Sequence, residues 1–152
     1  FRAHNKQVVF IKKSNEKTTH VLLKAFLWAL YLPSYPNLRV EVKIGDRYKP
    51  DVVSLDSEKS PEFWGEAGQI SPEKIRSLVR RYRHTHFAIA KWVTSLDPLE
   101  AIVSDALNEF PRDTPFDLIA FPDDSAERFI DSQGQVIVDF DDIVWKRFSR
   151  DN

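Results

Sequence analysis

The sequence predicts an α/β (α+β) protein with a mixed central sheet flanked by helices. Three observations predict it. Apolar residues recur at helical spacing in three stretches, with short alternating or wholly apolar runs between them. The early runs are joined by hairpin chemistry, which makes those strands antiparallel neighbours. The later runs are separated by helices, whose crossovers imply parallel pairing. The 152 residues (17.7 kDa) suit one domain over 1–152 that buries a core without staples, and the absence of cysteine excludes a disulfide framework or a thiolate site.

Taken in order, Val8 to Lys12 reads as a short strand. Ser14 can cap a helix to about Leu32, with Val21, Leu22, Ala25, Trp28, Ala29 and Leu32 on its apolar face. The Pro33–Pro36 turn ends it. Arg39 to Ile44 alternates as a strand, Gly45-Asp46 signals a hairpin, and Tyr48 to Leu55 is the returning strand. Glu62 to Ala67 is the third strand of this meander. Ser71-Pro72-Glu73 starts a helix, with a hydroxyl at the cap, proline at the first position and an acid in the first turn; Ile75, Leu78, Val79 and Tyr82 face inward. His86 to Val93 reads as a buried strand, Leu99 to Phe110 as a helix with Ile102, Val103 and Leu107 inward, and Phe116 to Phe121 as a further strand. A C-terminal hairpin is expected over about 130–140, turning at Ser132-Gln133-Gly134.

Net charge is −1, which excludes the bulk electrostatics of a strongly basic nucleic-acid binder. The distribution is uneven: residues 1–94 hold 17 basic and 9 acidic residues, and 95–152 hold 5 and 14, so the halves carry +8 and −9. The longest apolar stretch, Val21 to Leu32, is interrupted by Lys24 and too short to span a bilayer, and no secretory signal is visible; a cytoplasmic protein without membrane contact is expected.

Two carboxylates stand out. Asp51 lies mid-strand in Lys49-Pro50-Asp51-Val52-Val53, and Glu66 near the end of the next strand. A carboxylate in an apolar strand is costly unless it is paired, solvated or cation-bound. Two on neighbouring strands can share one face and hold a hard divalent cation such as Mg²⁺ or Mn²⁺. Gly65, Ala67 and Gly68 leave room for a ligand beside the backbone, where the Ala67 carbonyl can contribute. The plainer alternative is two surface carboxylates on an exposed sheet face.

The helix that follows carries Lys74, Arg76, Arg80, Arg81 and Arg83, with no acid after Glu73. Arg76, Arg80 and Arg83 recur at four and three residues and share a face. Stacked like charges are mildly unfavourable, and guanidinium forks fit phosphate oxygens, so Arg76, Arg80, Arg81 and Arg83 are candidates for nucleic-acid binding. The alternative is pairing with acids of the second half, such as Asp123, Asp124, Asp141 or Asp142. His84-Thr85-His86 has the spacing of a zinc strand motif but lacks further nearby ligands.

These residues carry a resemblance. Pro50-Asp51 followed by Glu66-Ala67-Gly68, with a helix before and a helix after, resembles the PD-(D/E)XK nuclease superfamily, and more closely its YaeQ family. Ser14-Asn15-Glu16 leading into Leu22–Trp28 resembles that family's first helix. Trp64-Gly65-Glu66-Ala67-Gly68-Gln69, followed by Lys74-Ile75-Arg76, resembles its central signature. The resemblance runs from about Lys13 to the C-terminal hairpin. It implies a restriction-endonuclease-like αβββαβ core and Mg²⁺- or Mn²⁺-dependent hydrolysis of phosphodiester bonds in nucleic acid. Asp51 and Glu66 would be the metal ligands, and Glu16 the acid of the first helix, ligating directly or through water; a helix-dipole role for Glu16 is the alternative. The superfamily places a lysine two residues after the glutamate. Gly68 stands there, and Gln69, Lys74 and Lys91 are the candidates to replace it. A nuclease fold without chemistry, binding nucleic acid or a protein, stays open for the same reason. A glycosidase acid pair at 51 and 66 is a weaker third reading.

Overall fold

The structure is a computed structural model, and it describes residues 1–149. Six strands form one sheet in chain order: β3 (Arg39–Val40), β4 (Val52–Leu55), β5 (Pro61–Ala67), β6 (His86–Trp92), β7 (Phe116–Phe121) and β8 (Val144–Phe148). The β3–β4–β5 meander is antiparallel, β5–β6–β7 is parallel, and β8 closes antiparallel to β7. A separate two-stranded hairpin, β1 (Arg2–Ala3) with β2 (Lys6–Gln7), precedes the sheet. The sheet is mixed and flanked by helices, and α1 (Thr18–Tyr31), the meander, α2 (Pro72–Arg81) and β6 follow one another in the expected order.

Alternation along the strands sorts the side chains onto two faces. Phe63, Ala67, Ala88, Ala90, Ile119 and Phe121 face α1. Trp64, Phe87, Ile89, Phe116, Leu118 and Ala120 face α2 and α3 (Asp97–Glu109). Helix α1 is buried nearly all round: Leu23 through Tyr31 are buried, together with Val21. Its outer side is covered by Ala3, Phe129 of α4 (Ser125–Phe129), Val136 and Val138, so the face expected from spacing alone is only part of its contact surface. In α3, Leu99, Val103 and Ala106 are the buried positions, and Ile102 and Leu107 pack beside them. Among the described residues no helix is long and apolar enough to cross a membrane.

Several boundaries differ from the sequence reading. Residues 8–12 form no strand: pairing is taken by the β1–β2 hairpin, which docks on Gly134–Val136, and Val9 and Ile11 stay exposed. Helix α1 starts at Thr18, not at Ser14, because a turn closed by Glu16 N–H to the Lys13 carbonyl (3.0 Å) intervenes. The strand expected to Ile44 stops at Val40, since Glu41 turns into the left-handed region (φ 57°), and the returning strand begins only at Val52. The hairpin over 130–140 is reduced to one bridge, Ile130 to Val136, and the sheet's last strand is instead β8. The Ser71 hydroxyl caps α2 as expected, accepting from the Lys74 N–H at 3.1 Å.

Candidate metal and substrate site

The β4–β5 register pairs Val52 with Gly65, and one further step sets Asp51 opposite Glu66; the Asp51 N–H donates to the Gly65 carbonyl at 3.2 Å. Both acids therefore lie at the carboxyl end of β5, where the sheet opens between α1 and α2. They do not turn the same way. Asp51 Oδ2 accepts from the Ala67 N–H (2.8 Å) and faces a cavity of about 310 Å³ on the α1 side. Glu66 turns to the α2 side, where Oε1 accepts from Trp64 Nε1 (2.8 Å) and pairs with Lys74 Nζ (3.0 Å). The pair straddles the strand end instead of sharing one pocket.

Burial lifts both carboxyls above their ordinary range. For Asp51 the Ala67 N–H and nearby cationic groups pull the other way. For Glu66 the negative charge of Asp51 adds to burial, and Lys74 and Trp64 oppose it. Because the charge of Asp51 reaches Glu66, ionising both is costly without a cation nearby. Among the described residues Asp51 Oδ1 and Glu66 Oε2 accept no hydrogen bond. Oxygen donors of this kind are the type that Mg²⁺ and Mn²⁺ take, with few protein ligands and several waters. Asp51 and Glu66 do not make a cage: among the described residues no group of three or more His, Cys, Asp or Glu side chains is arranged to hold a metal.

The α1 side carries a chain of charges that composition could not reveal. Lys24 is buried, its ammonium bonded to Glu16 Oε2 (2.5 Å) and to Glu41. Burial disfavours that ammonium, but the two carboxylates more than offset it and raise its pKa. Burial likewise pushes the Glu16 carboxyl up, and the bonds from Lys24 and His20 outweigh it and bring it down to about 2. His20 links this chain to the carboxylate pair: Nδ1 lies 2.7 Å from Glu16 Oε2, and Nε2 lies 3.1 Å from the Ala67 carbonyl and 4.0 Å from Asp51 Oδ2. Glu16 thus lies ahead of α1 and not in its first turn. The strained Glu41 backbone serves the same cluster, since its turn brings the carboxylate to Lys24.

His20, Lys24 and Glu41 are the residues that sequence reading missed. Their shared signal, His20 and Lys24 one helical turn apart and four and eight residues after Glu16, is visible only once the helix face is known.

The lysine question resolves geometrically. Gly68 has φ +91° and its N–H donates to the Ala90 carbonyl (2.8 Å), so the chain turns away where a lysine would stand. Lys74 contacts Glu66 directly and lies over the Tyr48 ring at 5.0 Å. Lys91 falls beside Gly68 in the β5–β6 register, on the Glu66 face, and among the described residues it makes no ion pair. Gln69 is exposed at the turn and makes no hydrogen bond among the described residues.

The basic helix divides. Arg76 pairs with Glu109 of α3 (2.8 Å), and Arg81 pairs with Asp46, which also accepts from the Tyr82 hydroxyl. Burial raises the Asp46 carboxyl, but Arg81 and Tyr82 overcome this and lower it to about 2. This pins the 45–46 turn onto α2. Arg80 and Arg83 make no ion pair among the described residues, and Arg80 lies about 9 Å along the axis beyond Lys74. Arg80 on α2 and Arg83, which the structure places in the turn just past it, therefore sit at the end away from Glu66. His84 and His86 diverge, one exposed beside Asp113, the other buried against Asp117.

No protein-family model matches the chain, and no curated protein matches it. Solved structures do. The YaeQ protein from Xanthomonas axonopodis pv. citri superposes with a TM-score of 0.59 at 14% identity, over 86% of this chain and 71% of that one. The YaeQ protein from Pseudomonas syringae superposes with a TM-score of 0.54 at 16% identity, over 82% and 68%. With the six-stranded mixed sheet and its helices in matching places, the chain has a YaeQ-like fold.

Proposed function

We propose that the chain is a metal-dependent phosphodiesterase of the PD-(D/E)XK type, acting on nucleic acid. The observation that carries this reading is the pair Asp51–Glu66, opposed in the β4–β5 register, Glu66 buried and Asp51 half-buried, both raised in pKa, each with one carboxylate oxygen that accepts no hydrogen bond among the described residues. Asp51 and Glu66 would hold Mg²⁺ or Mn²⁺, which when bound polarises a phosphoryl oxygen and acidifies water. The residues of the chain do the rest. Lys74, held by Glu66 and the Tyr48 ring, offers an ammonium to developing negative charge at the scissile group. Lys91 offers a second ammonium from the next strand. His20, braced by Glu16, holds the Ala67 carbonyl and stands 4.0 Å from Asp51 in the cavity on the α1 side.

One observation favours a second reading. The Lys74 ammonium already sits on Glu66 at 3.0 Å and can stand in for the cation. With Gly68 in place of lysine, this describes a catalytically silent module that keeps the fold and binds nucleic acid.

Calorimetric titration with Mn²⁺ decides between them, paired with cleavage of single- and double-stranded DNA and RNA. The phosphodiesterase reading expects saturable Mn²⁺ binding that weakens at least about tenfold in Asp51→Asn and Glu66→Gln, with cleavage lost in both. Absence of saturable binding, or cleavage unaffected by both substitutions, overturns it. Salt-sensitive nucleic-acid binding with no Mn²⁺ site would assign the silent module.

A further inference from the structure

The end of the molecule away from Asp51 and Glu66 carries a second, independent feature. The turn after α2 (residues 83–85) and the turn before β7 (residues 111–114) enclose a cavity of about 500 Å³ lined by Arg83, His84, Arg112 and Asp113. Thr114 ties the two turns together, its hydroxyl reaching the Arg83 carbonyl at 2.9 Å. Arg112 is the base of this cavity. Its Nε donates to the Thr114 carbonyl (3.3 Å), and its Nη2 to the Thr85 carbonyl and to Thr114 Oγ1 (2.7 Å). Its guanidinium stacks over the Phe87 ring at 4.8 Å.

Two facts set Arg112 apart. Its Nη1 is buried and has no hydrogen-bond partner among the described residues. No carboxylate among them lies within ion-pair distance of it, so a mostly buried positive charge rests on neutral oxygens alone. Buried charges are normally paired, because leaving one uncompensated is expensive. Burial pushes its pKa down to about 10, Asp113 pulls it back only in part, and the charge of Arg83 pushes it further down. Arg83 adds positive charge at the rim and His84 an imidazole: Arg83 makes no ion pair among the described residues, and the exposed His84 stands 3.9 Å from Asp113. Two guanidiniums and an imidazole thus surround a space with one acid.

We propose that this cavity is a binding site for a phosphate-type oxyanion, with the positive charge of Arg112 at its base and Arg83 and His84 at its rim. A tetrahedral oxyanion presents several acceptor oxygens to converging donors, which suits a guanidinium fork better than a single point contact. Arg80 and Arg83 line a neighbouring cavity of about 290 Å³ together with Glu109, which is paired with Arg76, so a ligand longer than one phosphate meets both of those guanidiniums and one acid in that direction. The site does not depend on the metal reading of Asp51 and Glu66.

The test is calorimetry at low ionic strength on the full chain, using inorganic phosphate, a 5′-phosphorylated trinucleotide and its 5′-hydroxyl twin. Saturable one-to-one binding of a phosphate-bearing probe is expected. Arg83→Ala and His84→Ala, both at the exposed rim, should each weaken it by about tenfold, the scale of one charge-assisted hydrogen bond. Asp51→Asn and Glu66→Gln should leave it unchanged, which separates this site from the metal site. Tighter binding of the phosphorylated trinucleotide than of inorganic phosphate assigns the site to a nucleic-acid end; equal binding assigns it to free phosphate, and both uphold it. No saturable binding of either phosphate-bearing probe overturns the proposal. So does unchanged affinity in the Arg83→Ala, His84→Ala double variant.

Discussion

At the residue scale the candidate site is a cost to the fold. Asp51 and Glu66 have raised pKa values, so the folded state holds their protons more tightly than the unfolded chain does. The sign follows: above the ordinary carboxylate range their ionisation opposes folding, and the penalty fades as pH falls. Glu16 behaves oppositely. With its pKa lowered to about 2 from 4.5, it contributes stability that is fully present above the unfolded value and lost as pH falls towards the folded one. Asp51→Asn is therefore expected to stabilise the metal-free protein at pH 7. The amide oxygen still accepts from the Ala67 N–H, and one buried like charge is gone. A gain of roughly 1 kcal/mol, or about 2–4 °C in melting temperature, is the expected scale. Melting curves across pH check it: the gain should shrink below pH 4, and a lowered melting temperature at pH 7 would refute the assignment of cost to Asp51. Glu16→Gln should do the reverse, lowering stability at pH 7 with a difference that vanishes in acid.

At the element scale the end of β5 shows why the lysine is elsewhere. Gly68 adopts φ +91°, a conformation that L side chains resist. A Cβ there meets only His20 Cδ2, at an ordinary 3.6 Å, so backbone conformation and not space excludes lysine. Gly68→Lys should cost about 1–2 kcal/mol in denaturant unfolding. It should also fail to raise cleavage, because the ammonium leaves a turn that no longer follows the strand. A neutral substitution with increased cleavage would reverse that account. Gly65 is the packing counterpart: an added Cβ would lie 2.7 Å from Leu27 Cδ2, within the α1–β5 contact. How much was legible follows from the same distinction. The start of α2, the β6 and β7 strands and the Asp51–Glu66 pairing were legible because caps, apolar runs and register are local patterns. β8 was not: Val144 to Arg147 are exposed, so no buried stripe marks this edge strand. The Glu16–His20–Lys24–Glu41 cluster was not either, because a left-handed Glu41 and a buried Lys24 contradict local preference and are fixed by long-range ion pairs.

At the scale of the whole molecule, the two halves of the lopsided sequence are tied together by polar contacts. Arg76 forms an ion pair with Glu109 across α2 and α3, and the His86 ring hydrogen-bonds Asp117 across β6 and β7. The second of these belongs to the most connected polar group in the interior. Asp117 is fully buried, and its carboxylate accepts from the Tyr31 hydroxyl (2.6 Å), from Arg147 Nε and Nη2 (2.8 and 3.0 Å), and bonds His86 Nε2 (2.7 Å). It thereby joins α1, β6, β7 and the edge strand β8. Burial alone would raise its pKa; the bonds from His86, Arg147 and Tyr31 outweigh this and lower it. Its contribution is accordingly present above the ordinary aspartate value near pH 4 and lost as pH falls below it. Removing one donor is mild: Tyr31→Phe should cost about 1 kcal/mol. Removing the charge is not, because the partners from three elements are left facing a neutral group. Asp117→Asn should cost about 3–5 kcal/mol, the range for breaking a buried ion pair from one side, and should flatten the acid limb of the stability curve. Because Asp117 lies at the opposite end of the parallel strands from Asp51 and Glu66, Mn²⁺ affinity of the folded fraction should not change. Denaturant unfolding at pH 7 and pH 4, with Mn²⁺ titration of the same variant, separates the two effects. A stable variant with weakened Mn²⁺ binding would mean that the buried network supports the site instead of anchoring the sheet.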